Sequence, residues 1–380
     1  MKNKTDTKFI KEALALAVKA EGLTSPNPLV GAVIVKGNKI IGRGYHKRAG
    51  SKHAEILALE SAGKPAHQPA TKLAGNRKAG GKTKGATLYI NLEPCAHYGK
   101  TPPCAPEIIK AGIKRVVIAM PDPNPLVNGK GIKKLKSEGI DVQVGILEQD
   151  ARKINETYIK YMTKKMPFVV LKWAMSLDGK IATRKGNSKW ISGKASREFT
   201  QKLRGKFDAV LIGIETLLKD NPQLNTHGLE IKEPKRIIID SKGRIPLDCN
   251  LLKTKGGQII ITTTDKISKK KIRDLKEKGA EIIVISSKEG RVDLKKLMIE
   301  LAKREITSIL VEGGGTINAS FIENALADKF VAFLSPMIIG GKNAISPVEG
   351  KGIEKIANAV RIRDLSIRKM GEDVVMEGYL

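Results

Sequence analysis

Two short stretches of this chain hold residue types and spacings that could do chemistry together. His53-Ala54-Glu55 spells H-x-E, and further on Pro94-Cys95 precedes Cys104, with the eight-residue filler AHYGKTPP between the thiols. A histidine and two cysteines are three soft or borderline ligands for Zn²⁺. A tetrahedral ion held by only three protein groups keeps its fourth position open for water, which separates a catalytic site from a structural one. Glu55 lies two residues beyond the ligand histidine, close enough to carry a proton from that water to a departing amine without binding the metal. Two thiols merely packed in a core would be the bland alternative, and the prolines and glycine around them do not suit it.

A second cluster lies late in the chain, in ILVEGGGTINASFI. An apolar strand pattern runs into Glu312 and then Gly313, Gly314 and Gly315 before a helical pattern. Such a turn leaves backbone N–H groups and a helix N-terminus free to cradle phosphate. The GxGxxG spacing is missing, so an ordinary Rossmann domain is disfavoured. LKWAMSLDGKIATRKGNSKWIS, DAVLIGIETLLKDNPQL and RIIIDSKGRIP precede it. Taken alone, SLDGK reads as a hairpin with an Asp-Gly turn.

The elements that must position these groups alternate between helical and strand periods. FIKEALALAVKA predicts a helix, VGAVIVKGNKIIGRGY a hairpin with a Gly-Asn turn, and HAEILALESA a helix. ATLYINL, a helix after Pro102-Pro103, KRVVIAM, a further helix and IDVQVGIL complete an α/β sheet. The ligand segments therefore fall at helix N-termini, whose positive dipole end favours thiolate. A charged helical stretch, EQDARKINETYIKYMTKKM, follows, and after Pro167 the strand FVVLKWAMS opens a second α/β series ending in VVMEGYL. The domain boundary is expected near residue 147, giving domains 1–146 and 147–380. Lys64 to Gly85 has no acidic residue and no periodicity, and is expected to be a surface loop.

The composition agrees with two domains. The chain has 380 residues, 41% of them hydrophobic, and 69 Lys+Arg against 39 Asp+Glu give a formal net charge of +30. That excess admits nucleic acid, acidic surfaces or phosphorylated small molecules as partners, although lysine is spread along almost every segment. Three cysteines cannot make a disulfide framework. No apolar run approaches a membrane span, and MKNKTDTKFIKEAL lacks the apolar core of a signal peptide, so a cytoplasmic protein with no membrane partner is expected.

The H-x-E and P-C patterns resemble those of zinc deaminases. With NPLVG (Asn27 to Gly31), GYH ending in His46, and TPPC before the second thiol, the chain closely resembles the bifunctional riboflavin-biosynthesis deaminase/reductases over essentially its whole length. The resemblance implies an α/β chain with an N-terminal cytidine-deaminase-like three-layer domain and a C-terminal dihydrofolate-reductase-like domain. It implies Zn²⁺ on His53, Cys95 and Cys104, with Glu55 catalytic, and hydrolytic removal of the 2-amino group from 2,5-diamino-6-(5-phosphoribosylamino)pyrimidin-4(3H)-one. Asn27, His46 and His97 would lie in that pocket. It further implies NADPH reduction of the ribosyl side chain to ribityl, with hydride reaching C1′ of the opened sugar. Lys172, Asp220 and Glu312 would surround the reacting sugar. Ser188, Arg204, Leu224 and His227 would bind substrate, Arg204 through bidentate hydrogen bonds to phosphate. Ala174, Trp190, Thr216, Asp220, Ser241, Gly313, Gly314, Gly315 and Thr316 would border NADPH.

Two departures stand out. The Lys64–Gly85 insertion lengthens the gap between His53 and Cys95. After DNPQLNT the family's arginine is replaced by His227, whose charge would fade as pH climbs through roughly 6 to 8, leaving an impaired reductase half as one alternative. The other alternative, a deaminase acting on tRNA, is disfavoured by the long thiol spacing and by the second half. The partner expected is thus a phosphorylated pyrimidine rather than nucleic acid, with a homo-oligomer left open.

Overall fold

The computed structural model describes residues 2–63, 81–98 and 102–380, which form two compact units, Met1–Lys165 and Met166–Leu380. In the first unit the elements are α1 (Lys2–Val18), β1 (Gly31–Lys36), β2 (Lys39–Tyr45), α2 (Ala54–Gly63), β3 (Thr87–Leu92), α3 (Cys104–Lys110), β4 (Arg115–Met120), α4 (Lys130–Ser137), β5 (Asp141–Val144), α5 (Glu148–Ile154) and α6 (Glu156–Lys164). Its five-stranded sheet has the order β2-β1-β3-β4-β5, with β2-β1-β3 antiparallel and β3-β4-β5 parallel. The strands are apolar on alternate residues of both faces, so both faces must be covered. Leu88, Ile90, Val116 and Ile118 meet Ala58 of α2, Ile108 of α3 and Leu135 of α4. Tyr89, Val117 and Ala119 meet Phe9 and Leu14 of α1, Ala151 of α5 and Tyr158 of α6. This is the expected three-layer domain.

The boundary differs from the one read in the sequence. Residues 147–165 belong to the first unit, because the charged stretch hides one apolar side: Ala151 and Tyr158 are buried in its core, and the Tyr158 hydroxyl donates to Asp122 Oδ1 at 2.9 Å. The Lys64–Gly85 loop lies, up to residue 80, outside the described residues.

One contact sets the height of α2 over the sheet. Ala54, Ala58 and Ala62 recur every fourth residue and face Gly42 and Gly44 of β2. A Cβ on Gly44 would stand 2.3 Å from the Ala54 carbonyl, and one on Gly42 2.3 Å from that of Ala58. Helix and strand therefore meet backbone to backbone, and the N-terminus of α2, where His53 and Glu55 sit, has no rotamer-dependent spacer beneath it.

The second unit comprises β6 (Phe168–Ser176), α7 (Lys194–Arg204), β7 (Ala209–Gly213), α8 (Ile214–Asp220), β8 (Lys235–Ile239), α9 (Asn250–Lys253), β9 (Ile259–Thr263), α10 (Lys269–Glu277), β10 (Ala280–Val284) and β11 (Ser287–Lys288). There follow β12 (Arg291–Val292), α11 (Leu294–Lys303), β13 (Ser308–Val311), α12 (Gly315–Glu323), β14 (Lys329–Ser335), β15 (Arg363–Met370) and β16 (Asp373–Tyr379). A nine-stranded sheet runs β10-β9-β8-β7-β13-β6-β14-β16-β15, parallel except where β16 joins β14 and β15. One face packs Val170, Val210, Ile238 and Phe333; the other packs Leu171, Leu211 and Ile309 under Leu297 and Phe321. From β7 the chain winds outward through β8, β9 and β10, then returns to insert β13 between β6 and β7. Such a reversal leaves a crevice at the carboxyl ends of the central strands.

Candidate active sites

In the first unit, β3 runs into Pro94-Cys95 and α3 begins at Cys104, so the two thiols are reached from adjacent strand and helix ends. Cys104 sits at the helix N-terminus as expected. Cys95 does not; it lies in the connecting loop and accepts the Cys104 N–H on its Sγ at 3.4 Å. His53 precedes α2 and brings Nδ1 to 3.2 Å from Cys104 Sγ and 3.7 Å from Cys95 Sγ. All three ligand atoms lie within 4.8 Å of one another. The donor set fits Zn²⁺: one imidazole and two free thiols converge, three protein ligands being the number that leaves a catalytic ion's fourth position open.

The electrostatics favour ionised sulfur. A hydrogen bond from Cys104 lowers Cys95 to about 4 against the opposing effect of burial, helped by His53 and the Cys104 amide. The thiolate so formed pushes the Cys104 thiol up. Glu55, 3% exposed in the first turn of α2, is pushed up to about 7 chiefly by burial.

His46, ending β2, is buried rather than on the surface, with its ring 5.5 Å from that of His53. Its Nδ1–H donates to the Lys52 carbonyl at 3.2 Å, which leaves Nε2 to accept from the Asn27 amide at 3.1 Å. Burial lowers its pKa and keeps the ring neutral. Asn27 thus has its carbonyl oxygen left for a ligand. His97 Nδ1 is buried without a hydrogen-bond partner among the described residues, the signature of a group awaiting a ligand.

The second unit holds a cavity of about 710 Å³ at the crevice. Its walls include Lys172, Ala174, Ser188, Trp190, Arg204, Thr216, Asp220, Leu224, His227, Glu312, Gly313, Gly314, Gly315 and Thr316, so the structure brings the expected residues together with one exception. Ser241 is not on the wall; its Oγ accepts the Val292 N–H at 3.1 Å and its carbonyl accepts the Thr264 hydroxyl.

Glu312 follows β13 and meets Arg204 from the end of α7. Arg204 Nε donates to Oε1 at 2.7 Å and Nη2 to Oε2 at 3.1 Å, while Nη1 reaches the Asn225 carbonyl at 2.9 Å. The bidentate fork expected to grip phosphate is therefore given to a carboxylate inside the protein, because burial of both groups demands pairing. Lys172 Nζ lies 3.9 Å from Glu312 Oε2. Burial lowers its pKa, Glu312 opposes that, and Arg204 adds to it. Burial raises Glu312, yet Arg204 and Lys172 outweigh it and hold the carboxyl below its ordinary range. Ser188 Oγ donates to Asp220 Oδ1 at 3.2 Å.

The glycine run opens α12 with no side-chain cap. A Cβ on Gly313 would stand 2.6 Å from Ile317 Cγ2 and one on Gly315 2.4 Å from the Ser346 carbonyl, so neither can be replaced without displacement. Among the described residues, the N–H groups of Gly315 and Thr316 have no acceptor. Unpaired amides at an uncapped helix N-terminus beside a large cavity fit a dinucleotide phosphate. Arg197, with its guanidinium carbon 4.7 Å from the Trp190 ring centroid, and Glu349 also line this cavity. Neither is marked as a site residue by any motif in the sequence. Arg197 lies in a charged helix and Glu349 in a turn-rich segment, where nothing in pattern separates them from their neighbours.

No helix of the described residues is long and apolar enough to cross a membrane. The cytidine and deoxycytidylate deaminase zinc-binding region matches residues 3–120, and the RibD C-terminal domain matches residues 167–376. The chain is similar to the riboflavin biosynthesis protein RibD of Aquifex aeolicus, 42% identical across 98% of this chain and 97% of that one, and to that of Escherichia coli K12, 36% identical across 98% of each. Among solved structures, Acinetobacter baumannii RibD (form 1) superposes with a TM-score of 0.85 at 36% identity, covering 99% of both chains. A Thermotoga maritima diaminohydroxyphosphoribosylaminopyrimidine deaminase/5-amino-6-(5-phosphoribosylamino)uracil reductase gives 0.85 at 35%, covering 100% of this chain and 99% of that one.

Proposed function

Because the chain belongs to the RibD family of bifunctional riboflavin-biosynthesis enzymes, we propose how its own residues divide the family's two reactions. The first unit deaminates a phosphorylated diaminopyrimidinone by hydrolysis, and the second reduces the ribosyl side chain with NADPH. The observation that carries the first assignment is the convergence of His53, Cys95 and Cys104 within 4.8 Å beside a buried carboxyl.

These three residues hold the zinc, which when bound supplies Lewis acidity that lowers the pKa of water toward neutrality. Asn27 and His97 bind the pyrimidine ring, and His46, fixed as its Nδ1–H tautomer, holds the Asn27 amide in place. Glu55 takes a proton from the attacking water and passes it to the adjacent ring nitrogen, then carries the remaining hydroxyl proton to the departing amino group, so that ammonia leaves and a carbonyl remains. A carboxyl near neutral pKa suits both halves of that transfer. The purified protein should hold about one zinc per chain, and Cys104→Ala should lose it together with deamination. Elemental analysis checks this; full zinc occupancy in an active Cys104→Ala enzyme would remove Cys104 from the ligand set.

In the second unit NADPH supplies hydride to C1′ of the opened sugar. Gly315 and Thr316 present their free amides to its phosphates, and Trp190 and Ala174 border it. Lys172 donates the proton that accompanies hydride addition, Glu312 orients Lys172, and Arg204 is a positioning residue that fixes Glu312 from behind. Ser188, Asp220 and Leu224 face the sugar.

His227 contacts the substrate phosphate in this reading. Burial and then Arg204 lower its pKa below 6.5, with Glu233 and Glu312 opposing. Its charged form therefore exists only on the acid side, so the loss of phosphate affinity falls at lower pH than the window of roughly 6 to 8 read from the sequence. The reductase KM should be low below that pKa, rise as pH climbs through it, and stay flat above neutrality. His227→Arg should lower the neutral-pH KM by roughly tenfold and abolish the acid-side rise. Steady-state NADPH oxidation between pH 5 and 8 checks it; identical KM profiles for the two proteins would separate His227 from the phosphate.

Three free cysteines suit a cytoplasmic setting, to which this reading assigns the chain. It also admits a homo-oligomer, which sedimentation would count.

A further inference from the structure

The free amides at the start of α12 have a negative neighbour of the protein's own. Residues 345–351 run as a strap against this helix: the Asn318 amide donates to the Pro347 carbonyl at 2.9 Å, the Glu349 N–H to the Gly315 carbonyl at 3.2 Å, and the Lys351 N–H to Glu323 Oε1 at 2.9 Å. Ile345 bridges to Ala182, which also lines the cavity. The missing Cβ of Gly315 allows this approach, since the Ser346 carbonyl would otherwise collide with it. The strap delivers one charged group to the helix end. Glu349 lines the cavity, and its Oε2 accepts the Thr316 hydroxyl at 2.7 Å.

We propose that Glu349 is a built-in competitor of the cofactor's diphosphate, a carboxylate that holds the N-terminus of α12 in the empty enzyme and weakens dinucleotide binding when the site fills. The inference rests on the reading of α12 as the phosphate cradle. An anion near a helix N-terminus is stabilising, so Glu349 favours the cofactor-free state. A diphosphate on the Gly315 and Thr316 amides meets the same carboxylate as a like charge, and Thr316 Oγ is already engaged. The two effects have opposite signs for the empty and the filled site. Affinity for the reduced cofactor is thereby held down, and the spent cofactor, which carries the same diphosphate, is released more readily.

Glu349→Gln isolates the charge, because its amide oxygen still accepts from Thr316. Binding is read by fluorescence titration of the zinc-loaded full chain with NADPH, NADH and ADP-ribose, without substrate. The expected result is a Kd lower by roughly three- to tenfold for all three, shrinking toward unity at 1 M salt. The same variant should melt roughly 1–3 °C lower when empty. Glu349→Asp, which keeps the charge, should retain the wild-type Kd. An unchanged or higher Kd in Glu349→Gln would overturn the proposal and leave Glu349 a partner of the Thr316 hydroxyl alone. A gain confined to NADPH would also overturn it, by placing the repulsion at the 2′-phosphate. A wild-type protein that binds none of the three would sink the reductase reading itself, a result distinct from either.

Discussion

Glu55→Gln keeps its zinc and reduces supplied deaminated substrate at the wild-type rate, while its deamination slows by about 10²–10⁴-fold. Zinc is retained because Glu55 is not among the proposed ligands His53, Cys95 and Cys104 and the glutamine fills the same volume. The loss follows from the proton. Hydrolysis moves both protons off the attacking water, one to the ring nitrogen and one to the amine, and an amide can relay neither. The site also makes the carboxyl hard to replace: Glu55 is buried, so water from bulk cannot take over its relay. Ammonia release and NADPH oxidation, each assayed on its own substrate, separate the two reactions. Substantial deamination by the variant would take Glu55 out of the proton path, and a parallel collapse of reduction would mean that the two sites are not separable.

Lys172→Met should lower the reductase kcat by about 10²–10⁴-fold while the Kd for NADPH changes by less than about twofold. The substitution leaves Glu312 with both hydrogen bonds from Arg204, so no buried charge is stranded and the fold should survive. The methionine replaces a stem that already packs with its ammonium 5.3 Å from the Phe333 ring centroid. Glu312→Gln is the harsher change: it strands the buried Arg204 and leaves Lys172 without its counter-charge, at a cost of about 3–5 kcal/mol. A KM-against-kcat split by stopped-flow checks the lysine. A wild-type kcat in Lys172→Met would remove Lys172 from the proton chemistry and leave it a partner of Glu312 alone.

The convergence of His53, Cys95 and Cys104 was legible because metal chemistry constrains residue type and spacing together, and few other uses of a chain juxtapose H-x-E with a proline-flanked thiol pair. The three-layer first unit was legible because period-two apolar strands alternate with helical periods. The end of that unit was not. Ala151 and Tyr158 are the buried apolar residues of α5 and α6, with Ile154, Ile159 and Met162 half-buried beside them, and that signal is thin beside the eight charged neighbours in EQDARKINETYIKYMTKKM. The partner of Arg204 was beyond the sequence for another reason. Glu312 lies 108 residues away and meets it only because β13 returns to the middle of the sheet. Ser241 carried a resemblance and sat at the carboxyl end of β8, but its hydroxyl serves the Val292 amide.

The place of β13 has a consequence for synthesis on the ribosome. Its neighbours β6 and β7 leave the exit tunnel first, and everything from Ile214 to Thr307 must follow before Ser308–Val311 can slide between them. At ~5–20 residues per second, the β6 and β7 edges that will receive β13 stay unsatisfied for roughly 5–20 s. Val169, Leu171, Ala209 and Leu211, all buried at the end, bracket that gap. The first unit has no such late insertion, because its sheet order β2-β1-β3-β4-β5 adds each later strand at an existing edge. Chaperone demand during translation should therefore fall on the later half, and within it on the interval before a single four-residue strand emerges.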